Sequence, residues 1–157
     1  MTTHLVHAIG PAVLKELRST DDAGRRMVPV TDDEGGAPLR CCLRRSRPGE
    51  RIALVSYAPL RRWAAGAGVD PGAYDEQGPV FVHAEECDGP AGDGPPFDGA
   101  HRVVRRYSAE GRILGGRLVE PGDLEAAFAQ AFADPAVEFV QVRAVEYGCF
   151  LYEVRGG

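Results

Sequence analysis

The sequence predicts an α+β fold: a mostly antiparallel sheet built from hairpins, with one β-α-β crossover and a C-terminal helix packed on the sheet. Three observations carry that expectation. Short β-branched and aromatic runs recur between turn signals, and 20 Gly and 12 Pro in 157 residues mark a loop-rich chain rather than a helical bundle. The clearest helical period falls near the C-terminus, over residues 124–132. A strand pattern lies on each side of it, so residues 112–144 read strand, helix, strand, the pattern of a crossover.

Taken in order, residues 5–9 form a short apolar run suited to a first strand, and residues 11–18 a short helix with Pro11 in its first turn, where no amide donor is needed. Residues 19–26 read as loop, and Thr31-Asp32-Asp33-Glu34-Gly35-Gly36 as a turn. Residues 38–44 alternate, placing Leu39, Cys41 and Leu43 on one face and Arg40, Cys42 and Arg44 on the other. This predicts a strand with Cys41 inside, paired through the turn Arg47-Pro48-Gly49-Glu50 with a second strand over residues 51–57. Residues 64–75 read as a Gly/Ala loop carrying Tyr74.

The stretch Gly78-Pro79-Val80-Phe81-Val82-His83-Ala84 predicts an interior strand, with Phe81 and His83 on one face and Val80 and Val82 on the other. Cys87 follows just past its end, where the Gly/Pro/Asp-rich residues 88–99 form a surface loop or lid. Residues 101–107 and 112–119 make a hairpin in which Gly111 supplies a left-handed turn position. Pro121-Gly122-Asp123 opens the helix, because Leu124, Ala127, Phe128, Ala131 and Phe132 repeat at helical spacing until Asp134-Pro135 ends it. Strands over residues 136–144 and 148–154, joined near Glu146-Tyr147, complete the sheet.

Composition bounds the function. The length suits one domain, residues 1–157, able to bury a core without disulfides or metal. No signal-type N-terminus or membrane-length apolar run is present, so the expected setting is cytoplasmic, with reduced thiols at Cys41, Cys42, Cys87 and Cys149 and no membrane partner. A net charge of −5 argues against generic nucleic-acid binding. The charges are unevenly placed: residues 40–62 hold seven arginines against Glu50 alone, and residues 70–98 hold eight acids with no Lys or Arg. Such blocks solvate different surfaces, pair with each other, or build a local anion site.

The ordered motifs Arg40-Cys41-Cys42-Leu43, Pro48-Gly49-Glu50, Ser56-Tyr57, Gly78-Pro79-Val80-Phe81-Val82-His83-Ala84, Phe132-Ala133-Asp134-Pro135, Phe139-Val140-Gln141-Val142-Arg143 and Tyr147-Gly148-Cys149-Phe150 resemble a bacterial family known as domain of unknown function 1203. The resemblance spans residues 38–155 and implies a small, compact bacterial protein. It brings no reaction. Where that family's penultimate strand often presents His-x-His-Asn-Ala, this chain has Gln141, Arg143 and Val145, so no metal or acid/base role is carried over to that strand.

Four readings of the reactive residues follow. Cys87 or Cys42 could act as a nucleophile with His83 as base, since a thiolate needs a nearby imidazole or cation. His83, Cys87, Cys149 and one of Cys41 or Cys42 could supply the four N/S ligands of zinc, but there is no Cys-x-x-Cys pair and adjacent strand cysteines face opposite ways, so no metal or other cofactor is expected. Arg40, Arg44 and Arg143 with Tyr57 could bind an anionic small molecule, with His83 or Glu76 moving a proton; Glu76, Glu138 or Glu146 is the structural partner to weigh for Arg143. An interaction module is the fourth, dimerising through a sheet edge or recognising another protein with its acidic loop, with Trp63, Tyr74 and Phe97 as loop aromatics.

The sequence favours the third: a small-molecule enzyme or binding protein for an anionic metabolite. Its site, at the end of the central strand, has His83, Cys87 and Tyr57 as catalytic candidates and Arg40, Arg44, Glu76 and Arg143 as ligand-binding candidates. The interaction module, including a homodimer, is the alternative.

Overall fold

A computed structural model describes residues 4–92 and 94–156; residues 1–3, which belong to the N-terminal reading, Asp93 of the 88–99 loop and Gly157 lie outside it. The fold is α+β, with its strands divided between two antiparallel sheets. The strands are β1 (His4–His7), β2 (Val30–Asp32), β3 (Glu50–Tyr57), β4 (Gly78–His83), β5 (Arg102–Tyr107), β6 (Ile113–Val119), β7 (Phe139–Ala144) and β8 (Phe150–Gly156). The helices are α1 (Pro11–Leu17), α2 (Pro59–Ala67) and α3 (Leu124–Phe132). Five strands run in the order β1-β8-β7-β5-β6 and three in the order β2-β3-β4.

The β5–β6 hairpin forms as its alternation predicts. β6 and β7 are both antiparallel to β5, hence parallel to each other, and α3 joins them, which is the expected β-α-β crossover. Leu124, Ala127, Phe128 and Ala131 are the buried face of α3, and they pack with Val104, Val140, Val142 and Val154 from one face of the larger sheet. The opposite face carries Tyr107 and Phe139, whose rings stack at 4.8 Å and meet Leu60 and Trp63 of α2. Between Val142 and Arg143 the β8 pairing slips by one residue, so Leu151 is extra and Phe150 turns toward the smaller sheet, meeting the Tyr57 ring at 5.4 Å.

Three expectations change. Residues 38–44 are not a strand of a hairpin: the Leu43 amide donates to the Leu39 carbonyl at 2.9 Å, and Leu43 takes a left-handed φ of 57°. That tight turn closes a loop held at its base by Asp32. The Asp32 carboxylate accepts from the Gly35 amide at 3.0 Å and the Ser46 hydroxyl at 2.5 Å, while Ser46 Oγ accepts from the Ala37 amide at 2.9 Å. Gly35 has φ 77° here, and a Cβ would meet Pro48 Cδ at 2.9 Å, so glycine is required. β3 pairs instead with β2 and β4.

β4 is an edge strand, not an interior one, in the order β2-β3-β4. Its outer edge is covered by the turn segment, through a parallel Leu39–Phe81 bridge and an Arg40 amide to Phe81 carbonyl bond of 2.9 Å, so it reads as apolar as a central strand. The Gly/Ala loop expected over residues 64–75 starts inside α2, which ends at Gly68 with φ 72°. This short helix buries only Pro59, Leu60 and Ala64, too little apolar repeat to stand out from flanking arginines and glycine.

Candidate functional site

The anticipated site residues are distributed over three cavities. His83, Cys87 and Arg44 line one of about 670 Å3; Tyr57, Glu76 and Arg143 line one of about 300 Å3; Arg40 lines a third of about 610 Å3.

In the first, the turn at residues 39–43 sets Cys41 and Cys42 side by side rather than on opposite faces, and both are buried. β4 ends at the buried His83, opposite Ile52 of β3, so its ring meets both cysteines. His83 Nδ1 lies 3.4 Å from Cys41 Sγ and 3.8 Å from Cys42 Sγ, and the two sulfurs are 4.0 Å apart. The His83 amide donates to Cys41 Sγ at 3.2 Å. Cys87, half-buried just past the strand, completes a group of four whose ligand atoms all lie within 4.8 Å of one another.

On the other side of the ring, Nε2 sits 3.0 Å from Glu50 Oε2. Arg44 grips the same carboxylate with two bonds of 3.2 and 3.0 Å, and the Arg47 amide donates to it at 2.6 Å. Those donors, Arg44 first, hold the Glu50 carboxyl down to about 2, so it is an acceptor near neutrality. Arg44 Nη2 also approaches Nε2, at 3.4 Å, but the carboxylate is nearer and accepts only, which favours the His83 proton on Nε2 and leaves the Nδ1 lone pair facing the sulfurs. Within the cysteine pair the two thiols diverge. Cys41 is pushed up by its hydrogen bond to Cys42 and by burial; the same bond draws Cys42 down, aided by the Arg44 amide.

A second cavity of about 490 Å3 reaches the cluster from behind, lined by Cys41, Cys87, Leu14 and Arg18. Arg18 Nε donates to the His83 carbonyl at 3.0 Å, and its buried Nη2 has no hydrogen-bond partner among the described residues.

The 300 Å3 pocket lies on the face of the larger sheet turned away from α3. Arg105 on β5 stands opposite Gln141 on β7, and Arg143 is two residues further along the same face. Arg143 is buried; its Nε donates to the Gly148 carbonyl at 2.9 Å and its Nη1 to Gln141 Oε1 at 2.6 Å. Glu76 is the carboxylate that reaches it, at 3.1 Å, and the same oxygen takes Arg105 Nη1 at 2.8 Å. Burial, with the adjacent Arg105 charge, pulls the Arg143 guanidinium below its usual range. Tyr57 lines the same pocket with its hydroxyl pushed up by burial. Arg105 had no sequence signal of its own, because within a hairpin strand it reads as one more solvated arginine.

Arg40 spends its donors on backbone: Nε on the Phe150 carbonyl at 2.7 Å and Nη1 on the Pro38 carbonyl at 2.5 Å. Burial pulls it down to about 10. It clamps the turn segment to β8. Cys149, weighed with His83 as a candidate zinc ligand, lines the two cavities of Arg143 and Arg40 instead.

The family model for Protein of unknown function (DUF1203) matches residues 36–156, which is most of the chain. The chain belongs to that family. This DUF1203 protein matches no curated protein and no solved structure. The matched span holds β3 through β8 and every residue of the Cys/His cluster and the arginine pocket. Among the described residues, no helix of this DUF1203 chain is long and apolar enough to cross a membrane.

Proposed function

We propose that this protein binds a small anionic molecule, a carboxylate or phosphate, in the pocket of Arg105, Arg143, Glu76 and Tyr57, as a small-molecule enzyme or binding protein. The observation that carries this reading is that two guanidiniums, one of them buried, share a single carboxylate oxygen. Two positive charges against one leave the pocket an excess cation, and burial makes that excess costly unless an anion joins it. Glu76 is half-exposed and comes from the loop before β4, so an incoming anion can take its place on the arginine forks. Gln141 and the Gly148 carbonyl hold the Arg143 plane fixed meanwhile, which lowers the ordering cost of binding. His83 and Cys87 line another cavity and take no part in this reading.

The test is thermal denaturation and calorimetric titration of the whole chain with inorganic phosphate, sulfate, acetate and citrate. A saturable response to one of them that is lost in Arg143→Ala and weakened at least tenfold in Arg105→Lys, with circular dichroism unchanged, is expected. No saturable response to any of the four, or an undiminished one in Arg143→Ala, overturns it.

A further inference from the structure

A zinc tetrahedron can be compared edge by edge with the Cys41, Cys42, Cys87 and His83 group. With Zn–S about 2.3 Å and Zn–N about 2.0 Å, tetrahedral geometry requires S···S near 3.8 Å and S···N roughly 3.5 Å. The observed edges are 4.0 Å between the Cys41 and Cys42 sulfurs, and 3.4 and 3.8 Å from His83 Nδ1 to each of them. Three edges of the tetrahedron are thus in place to within a few tenths of an ångström. The edges to Cys87 are no longer than 4.8 Å, and Cys87 stands in the loop after β4, where a small shift closes them.

We infer that Cys41, Cys42, Cys87 and His83 Nδ1 form a tetrahedral Zn2+ site in this protein. Three thiolates and one imidazole select a soft-to-borderline ion with tetrahedral preference, which favours zinc over magnesium or calcium. The inference is independent of the anion pocket.

The surroundings fit the same ion. A ligating imidazole usually donates its other N–H to a carboxylate, and His83 Nε2 has Glu50 at 3.0 Å, itself locked by Arg44. Thiolate ligands commonly accept backbone N–H bonds, and Cys41 already accepts one from His83. Three thiolates with Zn2+ carry a net −1. Arg18, whose buried Nη2 has no hydrogen-bond partner among the described residues, lines the cavity behind Cys41 and Cys87 and supplies the opposing charge. All four positions are filled by protein, so the centre is a closed, structural one that ties the 39–43 turn to the end of β4.

The experiment uses the reduced, full-length chain. Metal analysis after purification should give one zinc per chain. After chelation, Co2+ titration should saturate at one equivalent with a thiolate-to-cobalt charge-transfer band. Cys42→Ser and Cys87→Ser should weaken cobalt binding at least tenfold and dim that band, whereas Cys149→Ser should leave both unchanged. In wild type, zinc should protect three of the four cysteines from alkylation and chelation should release them, a readout that needs no variant to fold. Absence of saturable cobalt binding, equal binding by Cys42→Ser and Cys87→Ser, or alkylation unaffected by zinc would each overturn the site. Arg143→Ala should retain its zinc whatever its anion response, which keeps failure of the two readings distinguishable.

Discussion

Glu50 Oε2 sits 3.0 Å from His83 Nε2, nearer than Arg44 Nη2 at 3.4 Å, and this contact favours the ring proton on the nitrogen turned away from the cysteines. Glu50→Gln keeps the shape of the contact but lets the amide offer either an acceptor or a donor to Nε2, so the tautomer is no longer imposed. Zinc affinity, read by competition with a chromophoric chelator, should fall about 10–100-fold while the circular dichroism spectrum is kept. An unchanged affinity would detach Glu50 from the centre.

Asp32 makes the loop that carries the cysteines sensitive to acid. Its carboxyl is held below the ordinary value of 3.8 first by the Ser46 hydroxyl and then by the Gly35 amide. A folded pKa below the unfolded one contributes stability that is present above the unfolded value and lost as pH falls through the folded value. The stability difference between wild type and Asp32→Asn should therefore be constant near neutrality and shrink below about pH 4. A difference that stays constant down to pH 2 would show that the charge of Asp32 plays no part. Denaturant unfolding at stepped pH measures it.

Asp22 joins the turn after α1 to α2. Its Oδ2 accepts from the Ala58 amide at 2.7 Å, and its two oxygens take the Arg62 fork at 2.7 and 3.1 Å. Asp22→Ala leaves the Ala58 amide without its acceptor and Arg62 with Glu16 alone, at 2.7 Å, and should cost about 2 kcal/mol in denaturant unfolding. Adding Arg62→Ala should recover part of that cost, the sign of a coupled pair. Additive losses would mean that the ion pair contributes nothing beyond its separate halves.

Phe139 has no exposed surface and is flanked by Tyr107 at 4.8 Å and Trp63 at 4.6 Å. It is the contact through which α2 is seated on the larger sheet. Phe139→Ala should lower stability by about 3–5 kcal/mol and red-shift the emission of Trp63, the chain's one tryptophan. A loss under 1 kcal/mol would place the anchor of α2 elsewhere.

The parts of the fold legible from sequence are those whose pattern is local. The β5–β6 hairpin, α3 and the β7–β8 pair each carry their own period and turn residues, and each is where the pattern puts it. The segment 38–44 misleads because its alternation is that of a strand, while its conformation is set by Asp32, Ser46 and the left-handed Leu43, partners that no local period records. The same error hides the cysteine cluster: adjacent cysteines diverge on a strand and converge in a turn. His83, Cys87 and Cys42 were recognisable as reactive types, and Arg143 as a charge needing a partner, yet their assignment to separate cavities depends on which sheet each strand joins. Glu50 read as a turn residue, and nothing in its neighbourhood announced an imidazole 33 positions away.

β1 lies against β8, pairing His4 with Gly156 and His7 with Glu153. β1 thus has no neighbour in the larger sheet until β8, the last of the described strands, has been synthesised. Its four residues must wait unpaired, and that flank of the larger sheet is completed by segments distant in sequence rather than by growth from a local nucleus. Translation that stalls before residue 150 would release a sheet with an open flank at β7, the buried run Phe139–Ala144 exposed to whatever strand comes by.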